Sequence, residues 1–332
     1  MKESGPKKMR TNTNRRRFLQ IGTAALATTA VGSTAVEVAQ ASTEERYKIR
    51  EGTADETEVV VIDSGVEGST AVVVGGMHGD EEAGYRAAQE MREWSIDEGK
   101  LVLIPESNPT AIESGTLSND NGNLNRKFPP GETPTTPLAR AIWDVVTSHD
   151  ADLVFNLHSS KGIYQEDVGP SGVGQAIYPT TASGARQKAT RTVEYMNNNH
   201  LGDSQPDYHR FKRGNLITGD RPLLIHKIDH DLQKPGFIVE VTRYDTSLDT
   251  RINWTLQIVE HLLGQYSINR TSTGTSENTS DNPSTDPSNG ASDEQSSSEN
   301  SPEQESNERR QLERLLNEYE GTTWARLVRN II

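Results

Sequence analysis

His78 and Glu81 stand three residues apart in Val72–Gly84, VVVGGMHGDEEAG. A β-branched apolar run ends in two glycines, and the histidine and glutamate follow where a helix should begin. A strand delivers the imidazole to the edge of a sheet, and an i, i+3 helical spacing puts the carboxylate on the same face. Zinc takes such nitrogen and oxygen ligands at about 2.0–2.2 Å, and a catalytic site needs three protein ligands plus a position for water. Two further segments supply candidates. DLVFNLHSS (152–160) is an apolar strand ending in His158, and FIVEVTR (237–243) carries Glu240 at the end of its apolar run. A lone histidine after a strand is more often a hydrogen-bonded structural residue, and a strand glutamate is more often its solvent-facing side. Three strands that all end in ligand-type or base-type side chains point instead to one site, because open α/β sheets bind ligands outside the carboxyl ends of their strands.

A fourth segment, NDNGNLNRKFPPG (119–131), is turn-rich and places Asn125 and Arg126 on a loop. A guanidinium pairs bidentately with carboxylates, which suits a substrate with a free acid group. The plainer reading is a surface turn with a solvated arginine. PDYHRFKRG (206–214), basic and aromatic in an acidic chain, is a second source of substrate contacts or a counter-ion patch. His149 reads as a helix-end cap. His226 and His230 are read as strand then turn.

The ordered set HGDE, NLNRKFPPG, NLHSS and FIVEV resembles the succinylglutamate desuccinylase/aspartoacylase family, and more distantly the zinc carboxypeptidases. The resemblance covers roughly residues 58–263. It implies His78, Glu81 and His158 as ligands of one zinc ion, Asn125 and Arg126 as contacts to a substrate carboxylate or oxyanion, and Glu240 as general base. The chain departs from the family at Asn123 and Asn156, where acidic residues are usual, and at Thr242, near where a glycine commonly follows the base. Carboxylates behind ligating histidines raise their basicity. The amides therefore imply weaker metal binding or water activation, unless Asp120 or Asp152 substitutes.

The elements that must position these residues alternate. Apolar runs predict strands at 58–63, 71–74, 101–104, 152–157, 176–178, 223–226 and 237–241, with helices at 81–98, 137–148, 183–199 and 248–265. Thr136 before Pro137 is an N-cap followed by proline at the first helical position. The continuous Val, Ile and Leu content predicts a sheet buried on both faces. The fold class expected is α/β, with a mixed, mostly parallel central sheet flanked by helices, as in zinc carboxypeptidases.

Composition divides the 332 residues into four parts. Residues 1–41 read as a twin-arginine export signal: Arg15 and Arg16 are followed by Phe18 and Leu19, a mild apolar stretch, and a small-residue cleavage site at Ala39-Gln40-Ala41. The stretch is too short and weakly apolar for a spanning helix. Residues 42–266 form the catalytic domain. Residues 267–307, rich in Ser, Asn, Thr, Asp and Glu, cannot bury enough surface to fold, and contain acceptor sequons at Asn269 and Asn278. Residues 308–332 regain helical periodicity. The formal net charge is −14; the signal holds seven basic and two acidic residues, so its removal leaves −19. That acidity resembles proteins working in high salt and argues against nucleic-acid or anionic-membrane partners. The absence of cysteine excludes disulfides and thiolate ligands. The expectation is an exported protein, extracellular or at the cell surface, that hydrolyses an amide bond in a small substrate with a free carboxylate. A peptide or cell-wall-peptide carboxypeptidase is the alternative enzyme, and an inactive surface-binding module the alternative of another class.

Overall fold

The computed structural model describes residues 42–202 and 205–271. The expected export signal, the C-terminal helical segment and most of the polar linker lie outside the described residues. The linker's first five residues do not: Ile268 is buried, and Arg270–Thr271 pair as a strand, so the domain runs on to Thr271. Among the described residues no helix is long and apolar enough to cross a membrane.

Among the described residues ten strands form two sheets: β1 Thr43–Ile49, β2 Thr57–Asp63, β3 Thr70–Val74, β4 Ser95–Ile96, β5 Lys100–Ile104, β6 Leu153–Ser160, β7 Ala176–Pro179, β8 Lys212–Arg213, β9 Gly236–Thr242 and β10 Arg270–Thr271. The main sheet has eight strands in the order β1-β2-β5-β3-β6-β9-β7-β8, and β4 pairs with β10 in a small ribbon. Pairs β5-β3, β3-β6, β6-β9 and β7-β8 are parallel, and the others antiparallel. This is the mixed, mostly parallel sheet expected. The central strands are buried on both faces because successive side chains feed two different cores. Phe155, Leu157, Phe237, Val239 and Val241 join one cluster, and Val154, Val72 and Val74 the other.

Among the described residues six α-helices cover the faces: α1 Glu82–Glu90, α2 Pro109–Ser114, α3 Pro137–Ser148, α4 Ala185–Asn199, α5 Leu224–Lys227 and α6 Leu248–Gly264. α3 begins as its sequence dictates, with Thr136 Oγ1 accepting from Ala139 N. It buries Leu138, Ala139, Ile142, Val145 and Val146, the spacing of one helical face; each large aliphatic side chain so buried is worth about 1.5–3 kcal/mol. α1 lies directly on β6. At Gly84 an added Cβ would fall 2.5 Å from Leu157 O, so only glycine permits that approach.

Two expectations are corrected. The helix predicted over 81–98 stops at Glu90, followed by a 3-10 turn and an extended Trp94. Trp94 and Ile96 belong to the same core as α1, and both reach it only if the chain leaves the helix and returns as β4. The run 223–226, read as a strand, is helix α5, continuing as a π-helical turn through Leu232. Leu224, Ile225 and Ile228 are buried at helical spacing; a short apolar run does not distinguish the two states by itself. The strand β1 and helix α2 were not foreseen. β1 is an exposed edge strand studded with charges, a pattern without an apolar alternation to read.

Candidate metal centre

His78 lies in the turn after β3, and Glu81 is the residue just before α1, with non-helical φ −107° and ψ 66°. The pair therefore meets across a turn, with Glu81 N donating to His78 O at 3.4 Å, and not along a helix face as the spacing suggested. Gly79 makes the turn possible: a Cβ there would lie 1.9 Å from Ala111 O of α2. His158 is delivered by β6, in register with Glu240 on β9.

The three side chains converge. His78 Nδ1 lies 2.8 Å from Glu81 Oε1, and His158 Nδ1 lies 2.6 Å from Glu81 Oε2. One ligating atom from each falls within 4.8 Å of the others, and all three residues are buried. The donor set, two imidazole nitrogens and a carboxylate, is one that zinc takes, so His78, Glu81 and His158 can hold a metal ion. The protonation of Glu81 and His158 suits the task. Burial alone would push the Glu81 carboxyl up, but the two imidazoles outweigh it and hold it well below the ordinary carboxylate range. Complete burial lowers the basicity of His158, favouring the neutral imidazole that a metal requires. At His78 burial also lowers, but the bond to Glu81 prevails and the net shift is upward.

The amides behind the candidate ligands have defined partners. Asn123 Oδ1 lies 3.1 Å from His78 Nε2. Accepting that N–H leaves the Nδ1 lone pair facing Glu81 and the metal position, so the amide oxygen orients the ring without adding charge. Asn125 Oδ1 accepts from Leu224 N and Asn156 Nδ2, and its Nδ2 lies 3.3 Å from His158 Nε2. Neither aspartate substitutes for the missing carboxylates. Asp152 is bonded to Lys234 and to Thr70 N, and Asp120 is exposed.

Glu240 and Arg126 both line a cavity of about 470 Å³ together with His78 and His158. Burial, then the nearby Glu81 carboxylate, raise the Glu240 pKa well above that of an ordinary carboxyl; Arg243 opposes them. Arg126 is exposed to the cavity, with Nη1 donating to Asn125 O at 3.2 Å. Sequence reasoning missed other lining residues: Tyr164, Tyr178, Asn215, Arg221 and His226. His226 was legible only had 223–226 been read as helix. The loop 206–214 does not line the cavity. Its His209 is buried, with Nε2 3.0 Å from Tyr244 O, and Tyr208 donates to Asp245. The chain just after it, 215–221, supplies the wall instead. His149 caps α3 and meets Tyr47 Oη at 2.9 Å.

The loop carrying Arg126 is fastened from below. Lys227 is buried at the start of the π-helical turn, donates to Pro129 O and Glu132 O, and pairs with Asp231, which also accepts from Gly131 N. Lys227→Met is expected to cost about 3 kcal/mol, because it strands two carbonyls and a carboxylate whose partner is gone. Denaturant unfolding checks this.

Residues 67–164, which contain the three candidate ligands and the Asn125-Arg126 pair, match the succinylglutamate desuccinylase/aspartoacylase catalytic domain, a family of hydrolytic enzymes. A stretch of 108 residues is 37% identical to N-alpha-acetyl-L-2,4-diaminobutyric acid deacetylase of Halomonas elongata, covering 30% of this chain and 31% of that protein. The chain thus spans about a third of the length of the curated relative it matches. Among solved structures, tripeptide-bound Cell Shape Determinant Csd4 of Helicobacter pylori is similar with a TM-score of 0.54 and 19% identity over 70% of this chain and 56% of that one. The product-bound ectoine utilization protein EutE (DoeB) of Ruegeria pomeroyi is similar with a TM-score of 0.50 and 18% identity over 71% and 70%. These likenesses show the fold, the zinc carboxypeptidase-like sheet flanked by helices.

Proposed function

We propose that this protein is a zinc-dependent hydrolase that cleaves the amide bond of a small carboxylate-bearing substrate, as an N-acyl amino acid deacylase does. The observation that carries this reading is the convergence of two imidazole Nδ1 atoms on one buried carboxylate, with Glu240 in register beside His158 at the wall of a cavity that also presents Arg126. Bound by His78, Glu81 and His158, zinc would polarise the substrate carbonyl and lower the pKa of a water to roughly 7. Glu240 takes the proton of the attacking water and returns it to the leaving amine, so that one carboxyl serves as base and then acid. Its raised pKa fits a group that must hold that proton between the two steps. Arg126, on a loop fastened by Lys227 and by the Asn125–Leu224 contact, anchors the substrate carboxylate or faces the developing oxyanion.

The cavity volume suits a ligand of small-molecule size, which favours an acylated amino acid over a long peptide. We further propose that the protein is exported by the twin-arginine machinery and works outside the cell, and that its acidic surface is suited to high salt. The support for that is the sequence of residues 1–41 and the net charge.

The role of Arg126 is separable by experiment. Arg126→Lys keeps the charge and loses the planar fork. Hydrolysis of substrates with a free acid should fall by about tenfold or more in kcat/KM, while amidated analogues should change little. An equal loss on both would leave oxyanion stabilisation in place of carboxylate recognition.

A further inference from the structure

The cavity has two chemically distinct sides. On the side of β6 and α5 are the cations. Asn125, next to Arg126, touches His158, and Arg126 and Arg221 both lie close enough to His226 that, after burial, their charges help keep its imidazole neutral. On the side of β7 is an aromatic wall. Glu240 on β9 is flanked by His158 on β6 and by Ala176 on β7, so it stands between the two sides. Two residues along β7, Tyr178 lines the cavity opposite Ile238, and Tyr164 meets it edge to face with centroids 5.7 Å apart. Val173, 47% exposed, completes the wall at the rim.

This wall is built to stay in place. Gly214 backs the Tyr178 ring so closely that a Cβ would lie 2.2 Å from it. Tyr178 Oη donates to Val173 O at 2.8 Å, and Val173 N donates to Ser160 Oγ at 2.9 Å. Lys212 Nζ donates to Tyr164 O at 3.0 Å. A positioned pair of aromatic rings beside an aliphatic rim is an arrangement for an apolar group and not for a second carboxylate.

We infer that the substrate carries one carboxylate and one apolar, preferably aromatic, group, and that Tyr164, Tyr178 and Val173 form the subsite for the latter. This rests on the proposed reading only in placing substrate in the cavity, so binding and hydrolysis are tested apart. Calorimetry on the zinc-loaded full chain compares 3-phenylpropanoate, propanoate and succinate. 3-Phenylpropanoate should bind about tenfold or more tightly than either of the others, the scale expected for partial burial of a phenyl ring. Tyr164→Ala should erase most of that difference while leaving propanoate affinity unchanged. Tyr178→Phe, which keeps the ring and drops only the hydroxyl, should retain it. In parallel, kcat/KM is measured for N-acetyl-L-phenylalanine against N-acetyl-L-aspartate, and for N-benzoylglycine against N-acetylglycine. Phenyl selectivity in binding with no hydrolysis of any amide would uphold the subsite and overturn the proposed activity. Hydrolysis that prefers the aspartate and acetyl substrates, or equal binding of all three acids, would overturn the subsite and leave the activity standing.

Discussion

Glu240→Gln is expected to leave zinc content at one ion per chain and to lower kcat by about 10²–10⁴-fold, the usual range for removing a positioned general base. Metal analysis beside steady-state kinetics checks both parts. A loss of metal together with activity would make Glu240 a ligand and void its role as base. The pH profile should change as well. The base must be deprotonated to act, and burial followed by the Glu81 charge raises its pKa, so activity should fall, as pH drops, above the range where ordinary carboxyls titrate. That limb should vanish in the glutamine variant. Stability should move the other way. A carboxyl whose pKa is raised by folding adds stability below its unfolded pKa and loses it as pH rises through the folded one. Above its folded pKa the ionised Glu240 is therefore a burden on the metal-free fold, and there the neutral amide should raise the metal-free Tm. Activity lost with stability gained is the signature of a residue held in a costly place for chemistry.

How far the sequence alone revealed this site depended on the kind of element. α3 was legible from end to end, because its N-cap threonine, its proline and its buried stripe all agree. The strand-terminal residues His158 and Glu240 were legible because continuous apolar runs marked β6 and β9. His78 and Glu81 were found for an incomplete reason: the i, i+3 spacing was read as a helix face, whereas a turn over Gly79 brings them together. The aromatic wall was not legible. Tyr164 sits in an irregular loop, Tyr178 on a four-residue strand, and Gly214 is distant from both in sequence; nothing local says that they meet. The wall formed by 215–221 was missed in favour of the preceding basic loop, whose charges are spent on local partners such as Glu166 and Asp207. The charge of that loop is a local property of the sequence, while the cavity position depends on how the chain returns from β8 to α5.

Substituting Glu81 should act on the metal and on the fold at once. Its carboxylate joins both imidazoles and also accepts from Ser159 N at 3.2 Å, so it is the one donor bonded to the other two. Glu81→Gln is expected to abolish stoichiometric zinc binding and, with it, measurable turnover, since two remaining imidazoles are short of the three ligands a catalytic zinc needs. His158→Ala should lose metal likewise, from the strand side of the site. The sign of the pH effect distinguishes a ligand from a merely buried acid. The Glu81 pKa is depressed by folding, so its contribution to stability is present above the unfolded carboxyl pKa and is lost as pH falls through the folded one. The metal-free Glu81→Gln protein should accordingly be less stable than the metal-free parent at neutral pH, with the gap closing in acid. Glu240→Gln is expected to show the opposite sign above the folded pKa of Glu240. Thermal unfolding of both variants after chelation reads these two signs directly. Adding zinc should then raise the Tm of the parent and of Glu240→Gln, because the metal binds the native state preferentially, and should leave Glu81→Gln and His158→Ala unmoved. A Glu81→Gln protein that still takes up one zinc tightly, or that is more stable than the parent at neutral pH after chelation, would overturn the assignment of Glu81 as the central ligand.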